Sequence, residues 1–148
     1  MTFTITTTET PQQQDVKTLE YGLTGFNEAD VGPSNRRPLA VMIHGEAGAL
    51  ISGLAGYTAW GWLYVQWLWV AENHRGRGMA GRMLAAAEQE AQQRGCHGAF
   101  IDTFNPKAEI VYQRAGYEPF GTLPDFPMGR RRVFLQKRLG VGEVFSPA

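Results

Sequence analysis

The sequence holds little that would commit it to a metal, a disulfide, a membrane or a polyanion. Its 148 residues include one cysteine and three histidines. A single thiol, Cys96, excludes an internal disulfide, and no Cys/His cluster has metal-site spacing. Cys96 stands before an apolar run and reads as a small buried residue, not a nucleophile. Lys+Arg and Asp+Glu number 14 each, so no net field draws the chain to nucleic acid or to an acidic membrane. The longest apolar stretch, from Ala59 to Ala71, is interrupted by Gly61 and Gln66 and falls short of the roughly 20 residues that span a bilayer. No basic-then-apolar leader is present, so the expectation is a cytoplasmic protein with no membrane or nucleic-acid partner. Hydrophobic content of 43% and charged content of 19% predict one globular domain, residues 1–148, with its own core.

The residue pattern predicts an alternation of helices and strands. Phe3–Thr8 is rich in threonine and β-branched residues and reads as a first strand. Thr10-Pro11 reads as a helix start, and Val16, Leu19, Leu23 and Phe26 share one face, giving a helix over Pro11–Phe26. Asn27–Arg37 reads as loop or a short broken helix. Strands follow at Pro38–His44, Ala49–Tyr57 and Gly61–Val70, separated by turn residues. The last of these is aromatic on both faces, as a strand covered on both sides would be. Met79, Met83, Ala87 and Ala91 recur at helical spacing up to an Arg94-Gly95 stop. His97–Asp102 is a strand, Asn105–Ala115 a helix with Asn105 as its cap, and Tyr117–Gly121 and Arg132–Arg138 are strands around a Thr122–Arg131 loop. Strand–helix–strand from Gly61 to Asp102 makes one right-handed parallel unit.

The most informative segment is the turn between Val70 and the following helix. Side chains nearly vanish at Gly76, Gly78, Ala80 and Gly81, where a helix begins. Free N–H groups and the positive end of the helix dipole make such a place an anion cradle. Gly76-Arg77-Gly78-Met79-Ala80-Gly81 satisfies GxGxxG, and Asp102 lies about 20 residues further on, as in a dinucleotide site. The order of elements opposes that reading. A dinucleotide domain opens with its fingerprint strand and needs several further strand–helix units, whereas here three strands precede the turn and one helix follows Asp102. The spacer Ala71–Arg75 is also foreign to it.

The same residues, as Arg75-x-x-Gly78-x-Ala80, resemble the (Q/R)xxGx(G/A) signature of the GNAT superfamily of N-acetyltransferases. Asn105-x-x-Ala108-x-x-x-Tyr112-x-x-x-Gly116-Tyr117 resembles that superfamily's later N-x-x-A-x-x-x-Y-x-x-x-G-(F/Y) element. The two occur in the family's order, and the likeness extends over essentially the whole chain. The stretch from Asp102 to Leu139 is similar to the ending of one bacterial subgroup. The resemblance implies an α/β (α+β) acyl-CoA N-acyltransferase fold: a mixed, mostly antiparallel sheet of about six to seven strands, with a central splayed parallel pair flanked by helices.

It also implies chemistry. Acetyl-CoA would be the donor, with no metal, and a primary amine of a small molecule or protein would attack it directly in a ternary complex. Backbone groups of Leu68, Trp69 and Val70 would line the pantetheine arm, and an N–H among them would polarise the acetyl oxygen. The amides of Arg75, Gly76, Arg77, Gly78, Met79, Ala80 and Gly81, with the Arg75 and Arg82 side chains, would hold the pyrophosphate. Tyr112 would serve as general acid to the leaving thiolate, or else be an amphipathic core residue. Asn105 would cap its helix and touch the cofactor.

A general base is harder to find. Gln66 and Trp67 stand on the central strand where relatives carry an acid. Asp102 is the first candidate, Glu72 and Asp125 are others, and a mechanism without a base is the remaining alternative. The acceptor is expected between the 27–37 and 122–131 loops, with Phe126 as an aromatic wall. Trp60, Trp62, Trp67 and Trp69 read as sheet core or homodimer contact, and Arg130, Arg131 and Arg132 as a solvated, charged edge. Against the enzyme stands a non-catalytic acyl-CoA-binding module, which the absent central carboxylate favours and Tyr112 opposes.

Overall fold

The computed structural model describes residues 1–140. The chain divides into two compact units, residues 1–34 and the remainder from Asn35 onward.

The first unit holds one helix, α1 (Gln13–Val31). Phe3–Thr8 forms no strand. A β-rich composition makes a strand only where a neighbour completes its hydrogen bonds, and among the described residues no strand pairs with this one. The helix also outruns the predicted stop at Phe26. Glu28 and Ala29 are good helix formers, so termination waits for Gly32, at φ 92°. The Glu28 carboxylate then accepts from the Ser34 N–H (3.0 Å) and hydroxyl (2.9 Å), which fixes the exit of the chain. These bonds hold the Glu28 carboxyl below its usual range, the backbone one contributing most.

The second unit is a six-stranded sheet. Its elements in chain order are β1 (Arg37–His44), β2 (Leu50–Ala59), β3 (Trp62–Val70), α2 (Met79–Gln93), β4 (Gly98–Thr103), α3 (Pro106–Arg114), β5 (Glu118–Pro124) and β6 (Arg131–Arg138), with a 3₁₀ turn at Glu72–His74. The strand order is β1-β2-β3-β4-β6-β5, and only β3–β4 is parallel. This is the mixed, mostly antiparallel sheet that the sequence predicts. β5 runs on through Pro124 because it is the edge strand, where a missing N–H removes no ladder bond.

β3 is not covered on both faces. Leu63 and Val65 are buried, yet Trp67 and Trp69 are 69% and 51% exposed. A β-bulge explains the pattern. Ala55 pairs with Trp67 and Gly56 with Val65, leaving Gln66 as the extra residue. Beyond it the inward phase passes to Leu68 and Val70, which pack on the core, and the tryptophans turn outward. Gly56 makes the bulge feasible, since a Cβ there would overlap the Tyr64 carbonyl.

One stripe of α2 (Met83, Leu84, Ala87, Glu88 and Ala91) is buried and packs across β1, β2 and β3. Glu88 is the one acid in that stripe. It accepts from Tyr117 Oη (2.8 Å) and Lys137 Nζ (2.7 Å), and Lys137 also donates to the Ala115 carbonyl (2.8 Å). A buried carboxylate is tolerated because both oxygens are satisfied and a cation opposes it. The network ties α2 to the residues after α3 and to β6. Cys96 is 2% exposed and burial pushes its thiol up, as befits a core residue.

Candidate active site

The parallel ladder between β3 and β4 is short. It runs from Trp62↔Gly98 to Val65↔Ile101 and ends there. Past that point β3 stays with β2 through Val70, while β4 stays with β6 through Thr103. A wedge therefore opens between the two central strands, beginning at the Gln66 bulge.

Backbone alternation decides which groups face the wedge. Ala71 N donates to Ile51 O (2.9 Å), so Ala71 and Trp69 direct their backbone groups toward β2. Ser52 Oγ donates to the Trp69 carbonyl (3.2 Å), in agreement. Leu68 and Val70 then direct theirs into the wedge, where no strand pairs with them. The residues expected to line a pantetheine arm thus divide. Leu68 and Val70 offer backbone groups to the opening; Trp69 offers none. The Val70 carbonyl accepts from Arg75 Nε (2.9 Å), so the arginine side chain folds back over the strand end.

The glycine turn opens on the same end of β3. Gly76 and Gly78 have φ 76° and 75°, a left-handed conformation that other side chains resist. Gly78 is the N-cap of α2, no side chain caps the helix, and its first internal bond is Arg82 N to Gly78 O. From Gly76 through Gly81, no backbone N–H has a partner among the described residues. A Cβ at Gly76, Gly78 or Gly81 would meet nothing within 4 Å. These glycines do not make room for protein; they leave room beside unpaired donors. Arg77 and Arg82 are exposed at the same turn.

α3 starts differently. Asn105 Oδ1 accepts from Lys107 N (2.9 Å) and Ala108 N (3.4 Å), and Pro106 occupies the first turn. The cap uses the Asn105 oxygen and leaves its Nδ2 hydrogens for another partner.

Tyr112, on α3, is 6% exposed. Its hydroxyl has no hydrogen bond among the described residues. Among the described residues the one enclosed polar side-chain atom without a partner is His74 Nδ1, so the Tyr112 hydroxyl is not a sealed, unsatisfied group. Burial, and then the nearby Asp102 charge, push its phenol up to about 12.

Asp102 lies just past the last parallel pair. Arg132 Nε (2.8 Å) and Nη2 (2.7 Å) both reach Oδ1, and Tyr64 Oη donates to Oδ2 (3.0 Å). Both carboxylate oxygens are therefore engaged. Burial, and then this bond to Asp102, push the Tyr64 phenol up. Arg132 in turn stacks over Phe126 and Phe134, 5.0 and 5.2 Å from the ring centres.

The sequence reading missed both partners of Asp102 and the Glu88 network. Glu88 left a trace, because it stands one turn after Leu84 inside the apolar stripe. Tyr64 and Arg132 left none. Their meeting depends on strand register.

Among the described residues no group of His, Cys, Asp or Glu could hold a metal ion. No described helix is long and apolar enough to cross a membrane.

Residues 4–117 match the Acetyltransferase (GNAT) family. The chain is 43% identical, over 122 residues, to an acetyltransferase of Agrobacterium fabrum, covering 82% of this chain and 89% of that one. It is 40% identical over 107 residues to the blasticidin-S acetyltransferase of Streptomyces morookaense, covering 70% and 79%. A crystal structure of an Agrobacterium tumefaciens protein assigned as an acetyltransferase superposes with a TM-score of 0.86 at 40% identity, over 94% of this chain and 100% of that one. An unpaired strand edge, an uncapped glycine helix start and these relatives agree: the chain belongs to the GNAT family of acetyltransferases.

Proposed function

We propose that this acetyltransferase, read as one domain over residues 1–148, moves the acetyl group of acetyl-CoA directly to a primary amine within a ternary complex. The observation that carries the reading is the unpaired amide run from Gly76 through Gly81, set at the end of the strand whose Leu68 and Val70 edge no other described strand pairs. A diphosphate needs several N–H donors and a positive dipole; an extended amide chain needs a free strand edge. Both lie within one coenzyme A molecule. Arg75 and Arg82 would add charge at the diphosphate, and Asn105 Nδ2 a further donor.

In this reading the amine nitrogen attacks the acetyl carbon and a C–N bond forms. A wedge-facing N–H of Leu68 or Val70 stabilises the oxyanion. The tetrahedral centre collapses, the C–S bond breaks, and the thiolate leaves toward Tyr112. With its phenol pushed up to about 12, Tyr112 is protonated throughout the physiological range and always available as donor. The Asp102 charge helps keep the Tyr112 phenol protonated. Arg132 and Tyr64 engage both Asp102 oxygens, so neither is free to take a proton from the amine. The amine attacks in its neutral form, and the proton its nitrogen then sheds passes to water and restores Tyr112.

A small-molecule acceptor is favoured, since a relative at 40% identity is named for blasticidin S. The test is to incubate the protein with acetyl-CoA and an amine panel that includes blasticidin S, and to follow free thiol. Amine-dependent thiol release supports the proposal. Tight binding of coenzyme A without release from any amine would overturn it.

A further inference from the structure

A cavity of about 430 Å³ lies beyond the C-terminal end of β4, between the start of α3 and the β5–β6 loop. Its wall includes Phe104, Glu109, Asp125, Arg130 and Arg131. That volume suits a small polar molecule. The loop that forms one side is pinned. Phe126 N donates to Arg130 O (3.2 Å) and Arg130 N to Pro127 O (2.8 Å). Arg130 Nη1 donates across the cavity mouth to the Phe104 carbonyl (3.0 Å).

The charges on this wall are unevenly satisfied. Glu109 and Arg131 face each other at 3.4 Å. Asp125, at φ 55°, has no hydrogen bond or ion pair among the described residues. Arg130 makes its one bond through Nη1, so the rest of its guanidinium fork has no partner. The Phe126–Arg130 bond closes the loop between Asp125 and Arg130, and both of these line the cavity. They do not pair with each other. Two opposite charges on one cavity wall, each with unpartnered polar atoms, are what a ligand carrying both a cation and an anion requires.

We propose that this cavity binds an amino-acid head group of the acceptor: Arg130 takes its carboxylate and Asp125 its α-ammonium, and a separate amine on the same molecule reaches the wedge. The inference rests on the acetyl-transfer reading for the fate of that second amine, but the binding site does not.

L-lysine carries the whole pattern, lysinamide lacks the carboxylate, and 6-aminohexanoate lacks the α-ammonium. Calorimetric titration in the presence of coenzyme A reads binding without turnover. Lysine is expected to bind about tenfold or more tightly than either analogue. Arg130→Gln should abolish the preference over lysinamide and Asp125→Asn the preference over 6-aminohexanoate, with circular dichroism showing both variants folded. Equal binding of the three compounds, no binding of lysine, or variants that keep the preferences would overturn the proposal. Thiol release from acetyl-CoA, followed in parallel with lysine, separates the two ideas. Selective lysine binding without thiol release leaves the cavity assignment standing and counts against acetyl transfer.

Discussion

The two helices that flank β4 begin in opposite ways. α3 closes its own first turn, with Asn105 accepting two of its amides and Pro106 removing the need for a third. α2 closes nothing. Its N-cap is a glycine, no acid stands in its first turn, and no side chain caps it. An ordinary helix start of this size gains about 1 kcal/mol from a cap. α2 forgoes that gain and leaves its donors and dipole open, as the proposed diphosphate site requires. A helix terminus thus reveals its task by what it leaves unsatisfied.

The contrast can be broken most severely at Gly81. Gly81→Asp adds an acid to the first turn of α2 where a new side chain meets nothing. It should leave the helix as stable or more so, while coenzyme A affinity falls about a hundredfold by charge repulsion. Thermal denaturation and calorimetry read the two effects separately. A joint loss of stability and affinity would mean that the turn is structural.

On the α3 side, Tyr112→Phe removes a hydroxyl that has no hydrogen-bond partner among the described residues. Turnover should fall about ten- to a hundredfold, with coenzyme A affinity and thermal stability nearly unchanged. Steady-state kinetics beside a binding titration would show it, and unaltered turnover removes Tyr112 from the mechanism.

A pair of substitutions sharpens the role of Asn105. Asn105→Ala should cost about 1 kcal/mol of stability. Asn105→Asp keeps the cap, so its stability should hold, but it lacks Nδ2 and should bind coenzyme A a few-fold more weakly. Chemical denaturation and titration of both variants give the comparison.

The smallest effect is an alkaline one. A Tyr112 phenol that titrates near 12 when folded and near 10 when unfolded favours the folded state fully below pH 10. That contribution is lost as pH rises toward 12, roughly 1 kcal/mol of it by pH 10.5. Denaturant titrations at pH 9 and pH 10.5 should show a smaller loss in Tyr112→Phe than in the parent. Tyr117, pushed up by burial and then by Glu88, adds to the loss in both proteins.

Much of this was legible because glycine and asparagine are strong local signals. The glycine turn, the Asn105 cap, and the places of α2 and β4 follow from residues acting on their own neighbours. What could not be read depends on distant partners. Phe3–Thr8 has strand composition but no strand beside it. Trp67 and Trp69 look interior until the Gln66 bulge, permitted by Gly56 on another strand, rotates them outward. Asp102 stands where a base might, but Arg132 and Tyr64 reach it only through sheet register. The extension of α1 past Phe26 is a different failure: the polar residues there looked like loop, although the stop is Gly32.

The wedge between β3 and β4 has a consequence for solubility. Unpaired strand edges ordinarily invite another chain to add a strand, and proteins guard them with charge, proline or a covering helix. Here the unpaired stretch at Leu68 and Val70 lies within the sheet, with β2 on one side and β4 and β6 on the other. A foreign strand would have to enter between two strands already joined from Trp62 to Val65, not add to an outer side of the sheet. By placing this edge inside the sheet, the fold leaves backbone groups open for the proposed pantetheine arm away from the flanks where strands add.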